Sequence, residues 1–317
     1  MSSGRIPLKP GSTVAIGGNT YRICGLLSDN GGSCLAYNAE REPSGYEKKI
    51  SMPSVPAVIK EFYPAEYAGA ISRCDDGTYL SYTGFAEVIG ERMSMFVNSA
   101  IQQVEFYDKS DEHSFAPARI DEANNTVYTV VDRVRGDTLD NAYNGLSRYD
   151  KSEVLISLCG AIVQLHRANK LYLDIKPSNI WLFTKSEQSR RVALFDFDTV
   201  LPTDDSGHLL EPYPQKIPYS ESWSPREQQT PQQYGSICRA TDVYAFGAVI
   251  YWLYTGKMVD ANAVNKIKLG DFEFLDANGV FEGADRLKEN IKEHLSTMLS
   301  RSVKNRQQSL ESLLQRK

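Results

Sequence analysis

The sequence predicts an α+β protein in which a smaller, mainly antiparallel β region precedes a larger, mainly α-helical one. Two observations carry this expectation. From Ser12 the chain breaks into short apolar runs separated by glycine turns, and beyond Leu139 the apolar residues recur at spacings of three and four. At 317 residues and 41% hydrophobic content, the chain can bury a substantial core.

Residues 1–12 are polar and rich in Gly and Pro, and read as a lead-in rather than an element. Strands are predicted at 13–16, 21–27 and 34–40, the last two forming a hairpin whose tip carries Gly31 and Gly32, with Gly25 in its first arm. A polar insertion follows, and residues 56–60 then form a β-branched strand with a single lysine, Lys60, at its end. Taken alone, Lys60 is equally well a solvated strand-end residue. Met93, Phe96, Ala100, Val104 and Tyr107 are spaced for one face of a helix over 85–107. A turn at Asn124-Asn125-Thr126 leads into an apolar strand, 127–131, which runs into Asp132-Arg133-Val134.

In the second half, Val154, Leu155, Leu158, Ile162 and Leu165 mark one face of a helix. His166 at its end reads as a packing residue. Residues 241–254 are apolar on all sides, which predicts a buried helix with Asp242 near its N-terminus and Gly256 beyond its end. The tail, 286–317, reads as two amphipathic helices.

Composition excludes several classes. A net charge of -5 leaves no basic excess for a nucleic-acid backbone. Five scattered cysteines without C-x-x-C suggest neither a disulfide framework nor a zinc site, and fit a reducing cytoplasm. No signal-peptide-like run opens the chain, and no apolar stretch approaches membrane-spanning length.

The chemistry concentrates between Leu165 and Val200. Asp174, Lys176 and Asn179 form D-x-K-x-x-N, and Asp196 follows after an apolar hairpin. Phosphoryl transfer needs a carboxylate to orient the acceptor hydroxyl, a cation beside the transferring oxygens and oxygen ligands for a divalent ion. An ordinary polar loop uses the same residue types. The segment resembles the catalytic and metal loops of eukaryotic-like serine/threonine protein kinases, in a bacterial-type variant. Tyr172-Leu173-Asp174 stands at the family's His-Arg-Asp position and Asp196-Phe197-Asp198 at its Asp-Phe-Gly position.

That resemblance extends over nearly the whole chain and implies the bilobal protein-kinase-like fold, with an N-lobe over 1–133 and a C-lobe over 134–317. It implies ATP and Mg²⁺ or Mn²⁺ as cofactors and a protein with a Ser or Thr acceptor as partner. Asp174 would serve the acceptor, Lys176 the transferred phosphoryl, and Asn179 and Asp196 the metal. Lys60 would hold the α- and β-phosphates, Gly25, Gly31 and Gly32 would approach the nucleotide, and the backbone from Asp132 to Val134 would meet the adenine. Ser220 would stand in for the docking-turn threonine that touches the catalytic aspartate and lysine. Glu227 and Arg306 would form a structural ion pair, and Asp242 would hold the catalytic loop from beneath. The lysine at Lys176 is the serine/threonine pattern.

The departures matter as much. Leu173 replaces the arginine that pairs with an activation-loop phosphate, which suggests independence from that switch. Asp198 replaces a glycine, and either joins the metal site or holds the loop in one state. The glutamate due opposite Lys60 falls near Ser99, and Glu91 and Glu105 both remain open as its partner. Thr199, Thr203 and Ser206 are available for self-modification. A pseudokinase and a small-molecule kinase are the competing readings.

Overall fold

Short strands with alternating burial build the first of two units into which the chain divides, residues 1–134 and 135–317. The computed structural model describes residues 4–29, 31–75, 77–108, 112–186, 189–211, 217, 219–276 and 285–314.

In chain order the first unit contains β1 (Thr13–Ile16), β2 (Asn19–Ser28), β3 (Cys34–Arg41), a one-turn helix α1 (Gly45–Lys49), β4 (Val55–Phe62), β5 (Ile71–Arg73), β6 (Leu80–Tyr82), α2 (Ala86–Asp108), β7 (Pro117–Ala123) and β8 (Thr126–Asp132). Six strands form an antiparallel sheet in the order β1-β2-β3-β4-β8-β7, and β5 and β6 form a separate pair. Because strand side chains alternate, Ala57, Ile59 and Glu61 of β4 enter the core while Val58 and Lys60 lie half-buried on its other face.

Glu61 is a buried charge in that core, and its surroundings satisfy it. Its carboxylate accepts from the Tyr37 hydroxyl at 2.7 Å, the Tyr128 hydroxyl at 2.8 Å and both Arg73 Nη atoms, at 3.1 and 2.7 Å. Burial and the adjoining Glu61 charge push both phenols up, so they remain O–H donors. The described residues of the lead-in, 4–12, form no helix or strand, as expected, yet the segment is anchored. Arg5 is buried and donates to the carbonyls of Cys34 at 2.9 Å, Tyr63 at 3.0 Å and Asp29, and the Leu8 amide donates to the Tyr37 hydroxyl at 3.1 Å.

The second unit contains β9 (Gly136–Thr138), α3 (Leu139–Ala142), α4 (Arg148–Arg167), β10 (Lys170–Leu171), β11 (Ile180–Ser186), β12 (Ser189–Leu194), β13 (Leu201–Pro202), α5 (Arg226–Gln229), α6 (Pro231–Tyr234), α7 (Arg239–Thr255), α8 (Ala261–Lys268), α9 (Glu273–Asp276), α10 (Asp285–Met298) and α11 (Glu311–Leu314). Ser147 and Asp150 cap α4 reciprocally, and the five apolar residues read from its sequence are all buried. α7 is buried on nearly every side and stops at Gly256, whose φ of +69° suits glycine. Among the described residues, no helix is long and apolar enough to cross a membrane.

The tail contains two helices, α10 and α11, with a 3-10 turn (Val303–Asn305) between them; residues 315–317 lie outside the described residues. Arg306 follows that turn, and its side chain reaches Ser300 O, Ala240 O and Glu227, which ties the segment between the two helices to the α7 start and the α5 region.

Candidate active site

The loop between β10 and β11 carries the predicted residues, and Asp242 holds it from α7. Its Oδ2 accepts from the Tyr172 amide and its Oδ1 from the Leu173 amide, each at 2.9 Å, while His166 Nε2 lies 3.0 Å from Oδ2. Leu173 takes a φ of +64°, an uncommon value for a branched side chain, and its carbonyl accepts from Gln228 Nε2 at 2.8 Å. The sequence marks neither His166 nor Gln228 for a polar role. Gln228 directly follows Glu227, and no local pattern marks its amide as a partner of the loop.

Asp174, 9% exposed, is the centre of a closed cluster. Lys176 Nζ donates to Asp174 Oδ2 at 2.7 Å and to Ser220 Oγ at 2.9 Å. The Ser220 hydroxyl donates to Asp174 Oδ1. Asn179 Nδ2 donates to Asp174 Oδ2 at 2.8 Å and to the Asp174 carbonyl at 3.1 Å. With its nitrogen committed, the Asn179 amide leaves its oxygen as an acceptor without a hydrogen-bond donor among the described residues.

Asp196 lies beyond the same end of the β11–β12 hairpin. Ile180 pairs with Leu194, and the Phe195 amide donates to the Asn179 carbonyl at 3.3 Å, so Asn179 and Asp196 flank one hairpin end. A carboxylate and an amide oxygen are the hard donors that Mg²⁺ takes alongside phosphates and water. Among the described residues, no group of three or more His, Cys, Asp or Glu could hold a metal by itself. The Asp196 carboxylate and the Asn179 amide oxygen are donors of the type that suits Mg²⁺.

Asp196 has φ +66° and ψ +65°, and Tyr172 braces the backbone beside it. The Tyr172 hydroxyl donates to the Phe195 carbonyl, its ring meets Phe197 edge-on at 5.9 Å, and its own carbonyl accepts from Thr199 Oγ1 at 2.8 Å. Asp198 is half-buried in the 3-10 turn Phe197–Thr199.

The segment after this turn folds back. β13 pairs with β10, Thr203 bridges Leu209, and His208 bridges Cys238. Leu171, Leu173, Leu209 and Ile237 form a buried cluster with Leu201 and Ile217 packed against it. Thr203 is 6% exposed, so it is not an accessible acceptor; Thr199 is half-buried and engaged, and Ser206 is exposed. Residues 212–216 and 218 of the expected activation loop lie outside the described residues.

In the first unit, Gly31 and Gly32 lie in the β2–β3 turn, while Gly25 sits inside β2 opposite Asn38. Asp132 ends β8 and is exposed, and Val134 is half-buried. On α2, Ser99 is buried, and Glu91 and Glu105 are exposed.

Comparison with known proteins gives a consistent family. The protein kinase domain profile matches residues 100–317, more than half of the chain, which leaves Lys60 and the glycine turn outside the match. A probable serine/threonine-protein kinase PknB of Bifidobacterium longum is 28% identical over 157 residues, 49% of this chain and 21% of that protein. A probable serine/threonine-protein kinase, CE0033, of Corynebacterium efficiens is 29% identical over 134 residues, 41% of this chain and 19% of that protein. The alignments thus span about a fifth of those relatives' own length. The solved structure of PpkA-294 in its apo form superposes with a TM-score of 0.65 at 20% identity, covering 98% of this chain and 100% of that one, and the likeness is one of fold.

Proposed function

Since the chain belongs to the protein kinase domain family, we propose that it transfers the γ-phosphoryl group of ATP to Ser or Thr hydroxyls of a protein substrate in the cytoplasm. The observation that carries this is the Asp174 cluster, in which the carboxylate accepts from Lys176, Asn179 and Ser220 together.

In this reading Asp174 accepts the proton of the incoming hydroxyl, an effect typically worth about 10²- to 10⁴-fold. Its Oδ1 already accepts from one hydroxyl, that of Ser220, and the carboxylate is thereby oriented. Lys176 brings its ammonium to the transferring oxygens, and Lys60 serves the α- and β-phosphates. A divalent ion held by Asp196 and the Asn179 oxygen would neutralise charge on the phosphate oxygens. Gly25, Gly31 and Gly32 and the backbone from Asp132 to Val134 are assigned to the nucleotide on the resemblance alone. The cytoplasmic assignment is supported by five free thiols.

We also assign the chain to kinases that work without activation-loop phosphorylation. The support is the apolar cluster around Leu173, which docks the segment where an arginine would otherwise require a phosphate partner.

The test is incubation of the purified chain with radiolabelled ATP, Mg²⁺ or Mn²⁺ and a basic protein acceptor, beside Asp174→Asn. Label on Ser or Thr that is lost in the variant is the expected result. Nucleotide binding without label would instead assign a binding module.

A further inference from the structure

Outside the catalytic cluster, a cavity of about 140 Å³ is lined in part by Ser224, Arg226, Tyr244, Asp260, Arg301 and Arg306. The charge of Arg306 is matched by Glu227, and its other donors go to the Ser300 and Ala240 carbonyls. Asp260 Oδ1 accepts from the Ala263 amide as the N-cap of α8, and its carboxylate is the one acidic group of the lining. Two guanidiniums remain, those of Arg226 and Arg301, and among the described residues neither has a salt-bridge partner. Arg226 is steadied over the Tyr234 ring at 5.7 Å, which limits the freedom it would lose on binding.

Tyr244 completes the wall, with Arg306 over its ring at 5.1 Å. Burial pushes its phenol up against the pull of Arg306, Arg301 and Arg226, so it is an O–H donor at neutral pH. Two uncommitted guanidiniums and a phenol around so small a volume suit one tetrahedral oxyanion. A phosphomonoester, with a charge of about -1.5 to -2 and three acceptor oxygens, matches them better than a singly charged carboxylate.

The cavity also touches the chemistry. Ser224 Oγ accepts from the Ser220 amide at 3.0 Å, the Ser224 amide donates to the Ser220 carbonyl at 2.9 Å, and Ser220 donates to Asp174. One short turn therefore joins the cavity wall to the catalytic carboxylate.

We propose that this cavity receives a phosphorylated Ser or Thr side chain of the protein substrate, so that the chain acts on segments that another protein kinase has already phosphorylated. This rests on reading the chain as a protein kinase.

Calorimetric titration of the full chain with a phosphoserine peptide, its unphosphorylated twin and its Asp twin tests the proposal. Arg226→Ala/Arg301→Ala and Tyr244→Phe are titrated beside the wild type, with melting temperature as the fold control. The phosphopeptide should bind at least about tenfold more tightly than either twin, and lose at least about tenfold in the double variant. Tyr244→Phe, which removes one hydroxyl, should lose about three- to tenfold. Equal binding of the phosphoserine and Asp peptides, or unchanged phosphopeptide affinity in the folded double variant, would overturn it. Titration reads binding without turnover, so this result is separate from whether Asp174 supports transfer.

Discussion

Arg306 and Glu227 form an ion pair in which neither side chain is exposed to solvent. Arg306 Nη1 meets Oε1 and Nη2 meets Oε2 at 3.3 Å, while Thr241 Oγ1 also donates to Oε1 at 3.2 Å. The pair staples the docking turn to the C-terminal segment across 79 residues of sequence. Removing Arg306 leaves a carboxylate buried without its counter-charge. Arg306→Ala should cost about 3–5 kcal/mol, read as a drop in the urea midpoint. Glu227→Gln with Arg306→Met should recover part of that loss; a double variant no more stable than the single one would contradict the buried-charge account.

Tyr172 joins the catalytic loop to the residue before Asp196. Tyr172→Phe keeps the ring against Phe197 and removes only the donor to the Phe195 carbonyl. We expect a stability loss of about 1–3 kcal/mol, with kcat falling more than the KM for peptide changes. Unchanged kcat at saturating ATP would separate this hydrogen bond from the positioning of Asp196.

The Leu173 cluster yields a kinetic prediction. On the proposed independence from activation-loop phosphorylation, in which the apolar cluster docks the segment, phosphatase-treated protein should keep its kcat to within about twofold. Leu209→Ala should lower stability by about 2–5 kcal/mol and expose the segment to limited proteolysis. Activity that appears only after autophosphorylation would remove the assignment.

Asp150 gives the chain an acid-sensitive contribution. Its partial burial acts to raise the carboxyl, but hydrogen bonds from Ser147 and Arg190 outweigh it and hold the pKa below the ordinary value. A lowered carboxylate contributes stability that is complete above its unfolded pKa, about 4, and is lost as pH falls through the folded value. Asp150→Ala should therefore cost about 1 kcal/mol at pH 7, and the gap to wild type should narrow below about pH 4. Denaturant titrations at pH 7 and pH 3 measure it; a gap independent of pH would assign the loss to packing.

The sequence by itself determined β1 to β4, β8, α2, α4 and α7, because alternation and three-four spacing act between near neighbours. The α2 expectation, 85–107, falls within a residue of the observed Ala86–Asp108, and the apolar face read from Val154 to Leu165 lies inside α4, which begins earlier, at Arg148. It also determined the D-x-K-x-x-N loop, since six residues of chain keep Lys176 and Asn179 within reach of Asp174.

The tertiary structure alone decided which distant groups complete those elements. Gln228 on the Leu173 carbonyl, the Tyr172 hydroxyl on Phe195 and the four donors around Glu61 each join residues separated by a dozen or more positions. It also decided that Thr203 is buried and that Arg306 ties the segment between α10 and α11 to Glu227 and the Ala240 carbonyl. Local periodicity reports which face of an element is apolar. Which polar group must be satisfied inside, and by whom, follows only once the faces have packed and the cost of an unpaired buried group selects the partner.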